Sequence, residues 1–189
     1  QVRQFGKLNE NIQELQERVS SGQNILRASD DPVAAVNLSA AREQKQILER
    51  FEKNVGSAQG RLDLSGQAMQ ESINVLTRIA ELTTQAGNGS YDGFSRKAIL
   101  TEIDQLSETI FDLANTRDAQ GQSLFAGFNT GNVAFIKEAD GSITYNGDRG
   151  THSLQISENM NVATSIDGGT AFMRVNTPQG PKGVFDILN

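Results

Sequence analysis

The sequence predicts an α+β protein, in which an elongated bundle of long helices is followed by a small antiparallel β domain. Three observations lead to this prediction. Apolar residues recur at alternating three- and four-residue spacings through much of the chain, as in helices that bury one face. Glycine-containing turns then separate short β-type runs. Aromatic residues make up only 6% of the 189 residues, so we expect a thin helical core and not a large globular interior.

The first predicted helix covers residues 2–20 and carries one apolar stripe. The stripe is Phe5, Leu8, Ile12, Leu15 and Val19. Because the residues between these positions are polar, we expect the stripe to be buried, either within the domain or against a missing C-terminal helix. The last four members are our candidate helix-packing or assembly seam. The pattern ends at 20–22, where Gly22 can take the left-handed conformation that ends helices.

A second helix is predicted over residues 32–86. The residues at its start are Ser29, Asp30, Asp31 and Pro32. Asp31 is a suitable N-cap and Pro32 a suitable first helical residue, since the N–H that proline lacks would be unpaired there. The two aspartates could also suggest a metal pair, but adjacent side chains serve different directions, so we favour the cap.

Three glycines, Gly56, Gly60 and Gly66, lie inside this second helix. They indicate either a break or close backbone contacts along one rod on the order of 80 Å long. We favour the continuous rod because the apolar stripe keeps its register across all three. The predicted stripe is Phe51, Val55, Ala58, Leu62, Met69, Ile73, Leu76 and Ile79 or Ala80.

A turn cluster at 87–93 precedes a third helix, predicted over residues 95–118. Its apolar positions are Ile99, Ile103, Leu106, Ile110 and Leu113. Matching stripes on two helices joined by a short turn predict an antiparallel hairpin. The three helices would form a rod domain over residues 1–122. Residue 1 is Gln and lies within a periodic segment, and residues 183–188 approach a further helix. We therefore expect the sequence to be incomplete at both ends and the rod to be completed by the missing C-terminal helix.

Beyond residue 122 the period becomes that of β-strands. Short β-type runs occupy 133–136, 142–145 and 153–156, and the turns at 140–141 and 146–150 that separate them are hairpin signals. We therefore predict a small antiparallel β domain over residues 123–180. Residues 167–170 give a further turn within it, and residues 181–189 begin a return segment that approaches another helix.

The composition argues against catalysis and nucleic-acid binding. A net charge of -6 disfavours contacts with phosphates, and no Cys is present for thiolate chemistry. The single histidine, His152, lacks the companions of a zinc site or a Ser-His-Asp triad and is interpreted as a surface or packing residue. No apolar run is long enough to span a bilayer. We expect no enzyme, no cofactor and no metal site.

Several motifs resemble the bacterial flagellin superfamily. Residues 20–35 read SSGQNILRASDDPVAA, and residues 78–90 read RIAELTTQAGNGS. The match continues through EIDQL at 102–106, ANT at 114–116 and LFAG at 124–127. YNGD at 145–148 and the stretch at 167–172 are more similar to the hook-filament junction branch, the hook-associated protein 3 family, than to the outer domain of a flagellin.

The resemblance implies a structural role in the extracellular flagellum. Members of that branch are exported by the flagellar type III secretion system and assemble as a ring between the hook and the filament. The implied partners are the other hook-associated junction protein, flagellin, and a flagellar export chaperone before secretion, together with self-association in the ring. The alternative is a flagellin, the subunit of the filament. Ser29, Asp30, Asp31 and Pro32 are the residues of the family signature that we single out.

Overall fold

The computed structural model describes residues 2–21, 32–89, 91–178 and 180–188. The chain forms two compact units, Gln1–Arg50 and Phe51–Asn189. The predicted α+β class is confirmed, because three long helices are followed by small antiparallel sheets.

The first unit contains helix α1, Val2–Ser21, and the beginning of helix α2, Pro32–Ala86. Pro32 is the first residue of α2, the position where its fixed φ and missing N–H are best tolerated. The proposed cap by Asp31, together with Ser29 and Asp30 of the signature, lies outside the described residues.

Helix α2 runs through Gly56, Gly60 and Gly66 without interruption, as the continuous-rod interpretation requires. Phe51, Ala58 and Ile79 of the predicted stripe are buried, as predicted. The rest of the buried face differs from the prediction, since Ile73 is 53% exposed and Leu62 is 41% exposed. The buried positions are Phe51, Ala58, Arg61, Ser65, Ala68, Ser72, Val75, Ile79 and Leu82.

Small polar residues explain why the apolar pattern misplaced this face. The buried hydroxyl of Ser65 donates to the carbonyl oxygen of Arg61 at 2.8 Å, and that of Ser72 donates to the carbonyl oxygen of Ala68 at 2.7 Å. A serine whose hydroxyl is bonded within its own helix can be buried without an unpaired polar atom. Hydrophobicity alone therefore favours neighbouring positions such as Leu62 over the residues that are buried.

Helix α3 spans Gly93–Ala114 and is shorter at its C-terminal end than the predicted 95–118. The Asp92 carboxylate caps its start by accepting from the Ser95 amide at 2.7 Å. At its end, the Asn115 side chain donates to the carbonyl oxygen of Phe135 and accepts from the amide of the same residue. Asn115 therefore joins the start of the sheet region, and the helix ends before it.

Charged side chains connect the exposed faces of α2 and α3. The Arg78 guanidinium lies 2.9 Å from the Glu102 carboxylate on α3, and it also reaches Glu81 one turn along α2. Hydrogen bonding and charge attraction from Glu102 raise the pKa of Arg78 above its ordinary value. Because these side chains are exposed, the contact contributes little to stability.

The sheet region consists of three separate two-stranded antiparallel sheets. The strands are β1 Phe135–Lys137, β2 Ile143–Tyr145, β3 Ser153–Ser157, β4 Met160–Ala163, β5 Val175–Thr177 and β6 Gly180–Lys182. They pair as β1 with β2, β3 with β4, and β5 with β6. The turn at 140–141 is a hairpin turn as predicted. The prediction was wrong for 146–150, which links two hairpins and does not close one.

Two short helices complete the second unit: α4 Gly168–Met173 and α5 Val184–Leu188. The sequence predicted only a turn at 167–170, but Asp167 caps α4 by accepting from the Gly169 amide at 2.9 Å. Both helices contribute to one core with α2, α3 and β1. The core residues are Ala68, Val75, Ile79, Ile110, Ala114, Leu124, Phe125, Ala126, Ala134, Phe135, Phe172, Val184 and Phe185.

Aromatic rings form the centre of this core. Phe135 packs edge-on against Phe172 and Phe185, with ring centroids 5.5 Å apart in each pair. Phe125 packs edge-on against Phe172 at 5.4 Å. These four rings come from the loop after α3, from β1, from α4 and from α5, so they join segments that are distant in sequence.

Candidate assembly surfaces

The predicted seam on α1 is exposed along its whole length. The exposed fractions of Leu8, Ile12, Leu15 and Val19 are 56%, 44%, 59% and 83%. Ile12, Leu15 and Val19 form an open and largely apolar patch on the helix surface, together with Gln16 and Ser20. The structure therefore brings the four residues to one face of one helix and leaves that face accessible. Their role in assembly stays a prediction.

The beginning of α2 also presents apolar side chains to solvent. Val33 is 71% exposed and Val36 is 68% exposed, whereas Phe51, further along the helix, is buried. Pro32, the described member of the family signature, is exposed beside them. Apolar faces of this kind on long helices are typical of surfaces that are buried when a partner helix is added.

A buried arginine that sequence reasoning missed lies at the junction of α2 with the sheet region. Arg61 is 5% exposed and forms an ion pair with Asp118, whose side chain is equally buried. The same guanidinium donates to the carbonyl oxygen of Thr164 at 3.0 Å and to that of Ser123 at 3.3 Å. The signal in the sequence was a basic residue at a position of the heptad that the neighbouring buried residues share.

The Asp118 carboxylate is held by its own turn as well as by Arg61. Its other oxygen accepts from the amides of Gln120 at 2.9 Å and Gln122 at 2.8 Å. A buried charge needs both an opposite charge and hydrogen bonds to offset the loss of water. Both conditions are met here, so the pair acts as a fixed polar joint.

The β3–β4 hairpin is attached to α2 at two points one heptad apart. Asn54 donates to the carbonyl oxygen of Gln155 in β3 at 2.7 Å, and Arg61 holds Thr164, which follows β4. His152, which precedes β3, lies with its Nδ1 2.8 Å from the Thr164 hydroxyl oxygen. The histidine is half-buried at the base of this hairpin, where it contributes to packing and hydrogen bonding.

A second polar cluster surrounds Tyr145. Its hydroxyl donates to the carbonyl oxygen of Asp148 at 2.8 Å, and burial followed by the nearby charge of Asp167 raises the pKa of Tyr145 to about 12. Burial alone would raise the pKa of Asp167, but hydrogen bonds from the Thr170 hydroxyl and the Gly169 amide outweigh it and lower that pKa. These groups fix the start of α4 against β2.

The described ranges contain no cluster of three or more His, Asp or Glu side chains placed to hold a metal ion. Within the same ranges, no helix combines the length and apolar character needed to cross a membrane.

Comparison with protein families gives a match over most of the chain. Residues 2–130 match the family model described as the bacterial flagellin N-terminal helical region. The chain is 30% identical over 125 residues to the flagellar filament 30.7 kDa core protein of Treponema maltophilum, covering 66% of this chain and 44% of that protein. It is 29% identical over 125 residues to flagellar hook-associated protein 3 of Escherichia coli strain K12, covering 65% of this chain and 38% of that protein.

Solved structures show the same similarity in three dimensions. FlgL of Xanthomonas campestris is 34% identical, with a TM-score of 0.68 over 72% of this chain and 45% of that one. The flagellar junction protein FlgL of Legionella pneumophila is 27% identical, with a TM-score of 0.64 over 79% of this chain and 45% of that one. The chain spans less than half the length of these relatives.

Proposed function

This chain belongs to the bacterial flagellin family, and on that premise we propose that it is a structural subunit of the flagellum at the hook-filament junction. In this role it joins hook-associated proteins to the flagellin filament. The observation that supports the junction over other flagellar positions is the similarity to solved structures of FlgL, one of which is named as a flagellar junction protein.

The proposed location is outside the cell. The protein is exported through the flagellar secretion channel, escorted before export by a chaperone, and it assembles as a ring. Its neighbours are the other hook-associated junction protein on one side and flagellin on the other. The function is mechanical and needs no catalytic group. The exposed apolar faces of α1 and of the beginning of α2 support such contacts, because a helix face of this kind is stabilised when a partner helix covers it.

We further propose that the helical rod is completed by a C-terminal helix that packs on these exposed faces. The support for this proposal is a comparison with α2. Its buried face between Phe51 and Leu82 follows a heptad pattern and is covered within the second unit. The stripe on α1 has the same period and is exposed. A helix with matching apolar spacing would bury it in the same way.

A filament subunit is the second candidate function. It is favoured by the identity to the Treponema filament core protein, which equals that to hook-associated protein 3 within one percentage point. The two functions differ in where the protein lies. A junction subunit is confined to one short zone, whereas a filament subunit is distributed along the whole filament.

Deletion of the gene together with immunogold labelling tests the proposal. An epitope inserted at Gly131, in an exposed turn where added atoms meet nothing within 4 Å, marks the protein with little disturbance. We expect deletion cells to carry hooks without filaments and to release unpolymerised flagellin, and the tagged protein to label only the base of the filament. Label along the filament would indicate the filament subunit. Normal filaments in the deletion strain would rule out the junction function.

A further inference from the structure

The Arg61 guanidinium connects three parts of the second unit. It extends from the middle of α2, it pairs with Asp118 in the turn after α3, and it donates to the carbonyl oxygen of Thr164 behind the β3–β4 hairpin. A further donor reaches the side-chain oxygen of Gln122 at 3.3 Å. The planar arrangement of arginine donors allows one side chain to fix several acceptors in defined directions.

Thr164 is the point at which both ends of the β3–β4 hairpin meet. Its amide donates to the carbonyl oxygen of His152 at 2.7 Å, and its hydroxyl contacts the His152 ring. Because His152 precedes β3 and Thr164 follows β4, this pair closes the base of the hairpin. A side chain that fixes the Thr164 carbonyl therefore fixes the base of the whole hairpin relative to α2.

Stability alone does not explain a charge at this position. Replacing a buried ion pair by apolar residues of similar volume is often neutral or stabilising, because the cost of removing two charges from water disappears. Among the neighbouring buried positions of α2, Ala58 and Ala68 are apolar, and Ser65 is uncharged with its hydroxyl bonded within the helix. What apolar residues cannot supply is a directed hydrogen bond to a chosen carbonyl oxygen.

We propose that Arg61 is a positioning residue that sets the orientation of the β3–β4 hairpin on the long helix, with Asp118 holding the guanidinium in place. Asn54 adds a second attachment one heptad earlier, on the stem of the hairpin. The tip of the hairpin carries Met160, which is 56% exposed. The orientation of the hairpin therefore determines where this exposed tip stands relative to α2.

Spin-label distances test the proposal directly. The sequence contains no Cys, so cysteines introduced at Gln67 on α2 and at Glu158 in the hairpin turn can be labelled selectively. In the otherwise unchanged protein we expect one narrow distance distribution. In the double variant R61M/D118L we expect the distribution to broaden about twofold or split under conditions where the variant is folded. The urea unfolding midpoint should fall, because the amides of Gln120 and Gln122 lose the Asp118 carboxylate as their acceptor.

A matched control and a second variant make the result decisive. R78M removes an exposed arginine that bonds Glu102 on α3, and it should leave the hairpin distances unchanged. If R61M/D118L does not fold, the same distances are measured in R61K, which keeps the charge near Asp118 but lacks the planar fork. If the spin-label distance distribution of the measured variant, R61M/D118L or R61K, stays narrow at the parent distance, the proposal is wrong. A broadened distribution supports it. This outcome is independent of whether the protein acts at the hook-filament junction.

Discussion

At the residue scale, the Asn115 side chain binds both backbone groups of Phe135, as a neighbouring strand would. Its side-chain Nδ2 lies 3.1 Å from the Phe135 carbonyl oxygen, and its side-chain Oδ1 lies 2.9 Å from the Phe135 amide nitrogen. We expect Asn115→Ala to lower the free energy of unfolding by about 1–3 kcal/mol, since both backbone groups of Phe135 lose a partner in a part-buried place. Urea unfolding measures the change. Asn132→Ala, in an exposed turn, is the control and should change stability by less than about 0.5 kcal/mol.

The hydrogen bond from Thr170 to Asp167 should make the stability of the second unit depend on pH in the acid range. Its hydroxyl donates to the carboxylate at 2.6 Å and helps to lower the pKa of Asp167. A lowered pKa stabilises the fold above the unfolded value of about 3.9, and this contribution is lost as the pH falls through the folded value. We therefore expect Thr170→Ala to be less stable than the parent at neutral pH, with the difference disappearing in acid.

Urea unfolding at a series of pH values, with NMR titration of the Asp167 carboxyl, measures this effect. Thr109→Ala is the matched control, because that hydroxyl donates to a helix carbonyl oxygen and to no carboxylate. Its stability difference from the parent should be the same at every pH. A Thr170→Ala difference that persists unchanged in acid would contradict the linkage.

At the element scale, the three internal glycines of α2 are not required by the packing of this chain. A Cβ at Gly56, Gly60 or Gly66 would meet nothing within 4 Å. Alanine is favoured over glycine inside a helix by about 1 kcal/mol, so each Gly→Ala variant should be more stable by up to that amount. Thermal unfolding of the isolated protein measures the gain, and a loss of stability would contradict the open space seen at these positions.

At Gly127, in contrast to Gly56, Gly60 and Gly66, we expect alanine to lower the stability. Its φ is +70°, and a Cβ there would collide with the carbonyl oxygen of Asp148. Gly127→Ala should therefore be destabilised by about 1 kcal/mol or more under the same conditions. The two kinds of glycine cannot be distinguished by sequence, because the difference depends on a contact between residues 127 and 148.

The helices were predictable from the sequence to the extent that their signals were local. Pro32 marks the start of α2, and the recurring apolar residues together with the turn at 87–93 predict where the helix ends. The buried face of α2 was predicted only in part. Arg61, Ser65 and Ser72 were missed because they are buried through hydrogen bonds that hydrophobicity does not report. The end of α3 was also missed, since it depends on the distant backbone of Phe135.

The sheet region shows the same limit. The first three strands alternate in a recognisable way, and they were expected close to where they lie. β5 and β6 have only three residues each, and β6 contains Gly180 and Pro181, so neither carries a pattern of its own. The polar joint at Arg61 was missed altogether, because its acceptors are 57 and 103 residues away in sequence.

At the scale of the whole molecule, the hydrophobic core includes residues on both sides of the predicted domain boundary. The boundary predicted between residues 122 and 123 stays a prediction. Leu124 and Phe125 lie just beyond it and belong to the same core as Ile79 and Ile110 of the helices. We therefore expect a fragment ending at residue 122 to lose cooperative unfolding, because it exposes this core. A cooperative transition with the helical content of the intact protein would instead support two independent domains.

A substitution in the exposed stripe on α1 should impair assembly of the flagellum without changing the stability of the isolated protein. Leu15 is 59% exposed, so Leu15→Asp should change the free energy of unfolding of the isolated protein by less than about 0.5 kcal/mol. If the stripe is covered in the assembled flagellum, the same change places a charge in an apolar contact and should prevent incorporation of the protein. Introduced into the chromosomal gene, it should give exported protein, hooks without filaments and non-motile cells. Gln13→Asp, an exposed change on the same helix, is the control and should leave filaments intact. Normal filaments with Leu15→Asp would show that this part of the stripe is not an assembly contact.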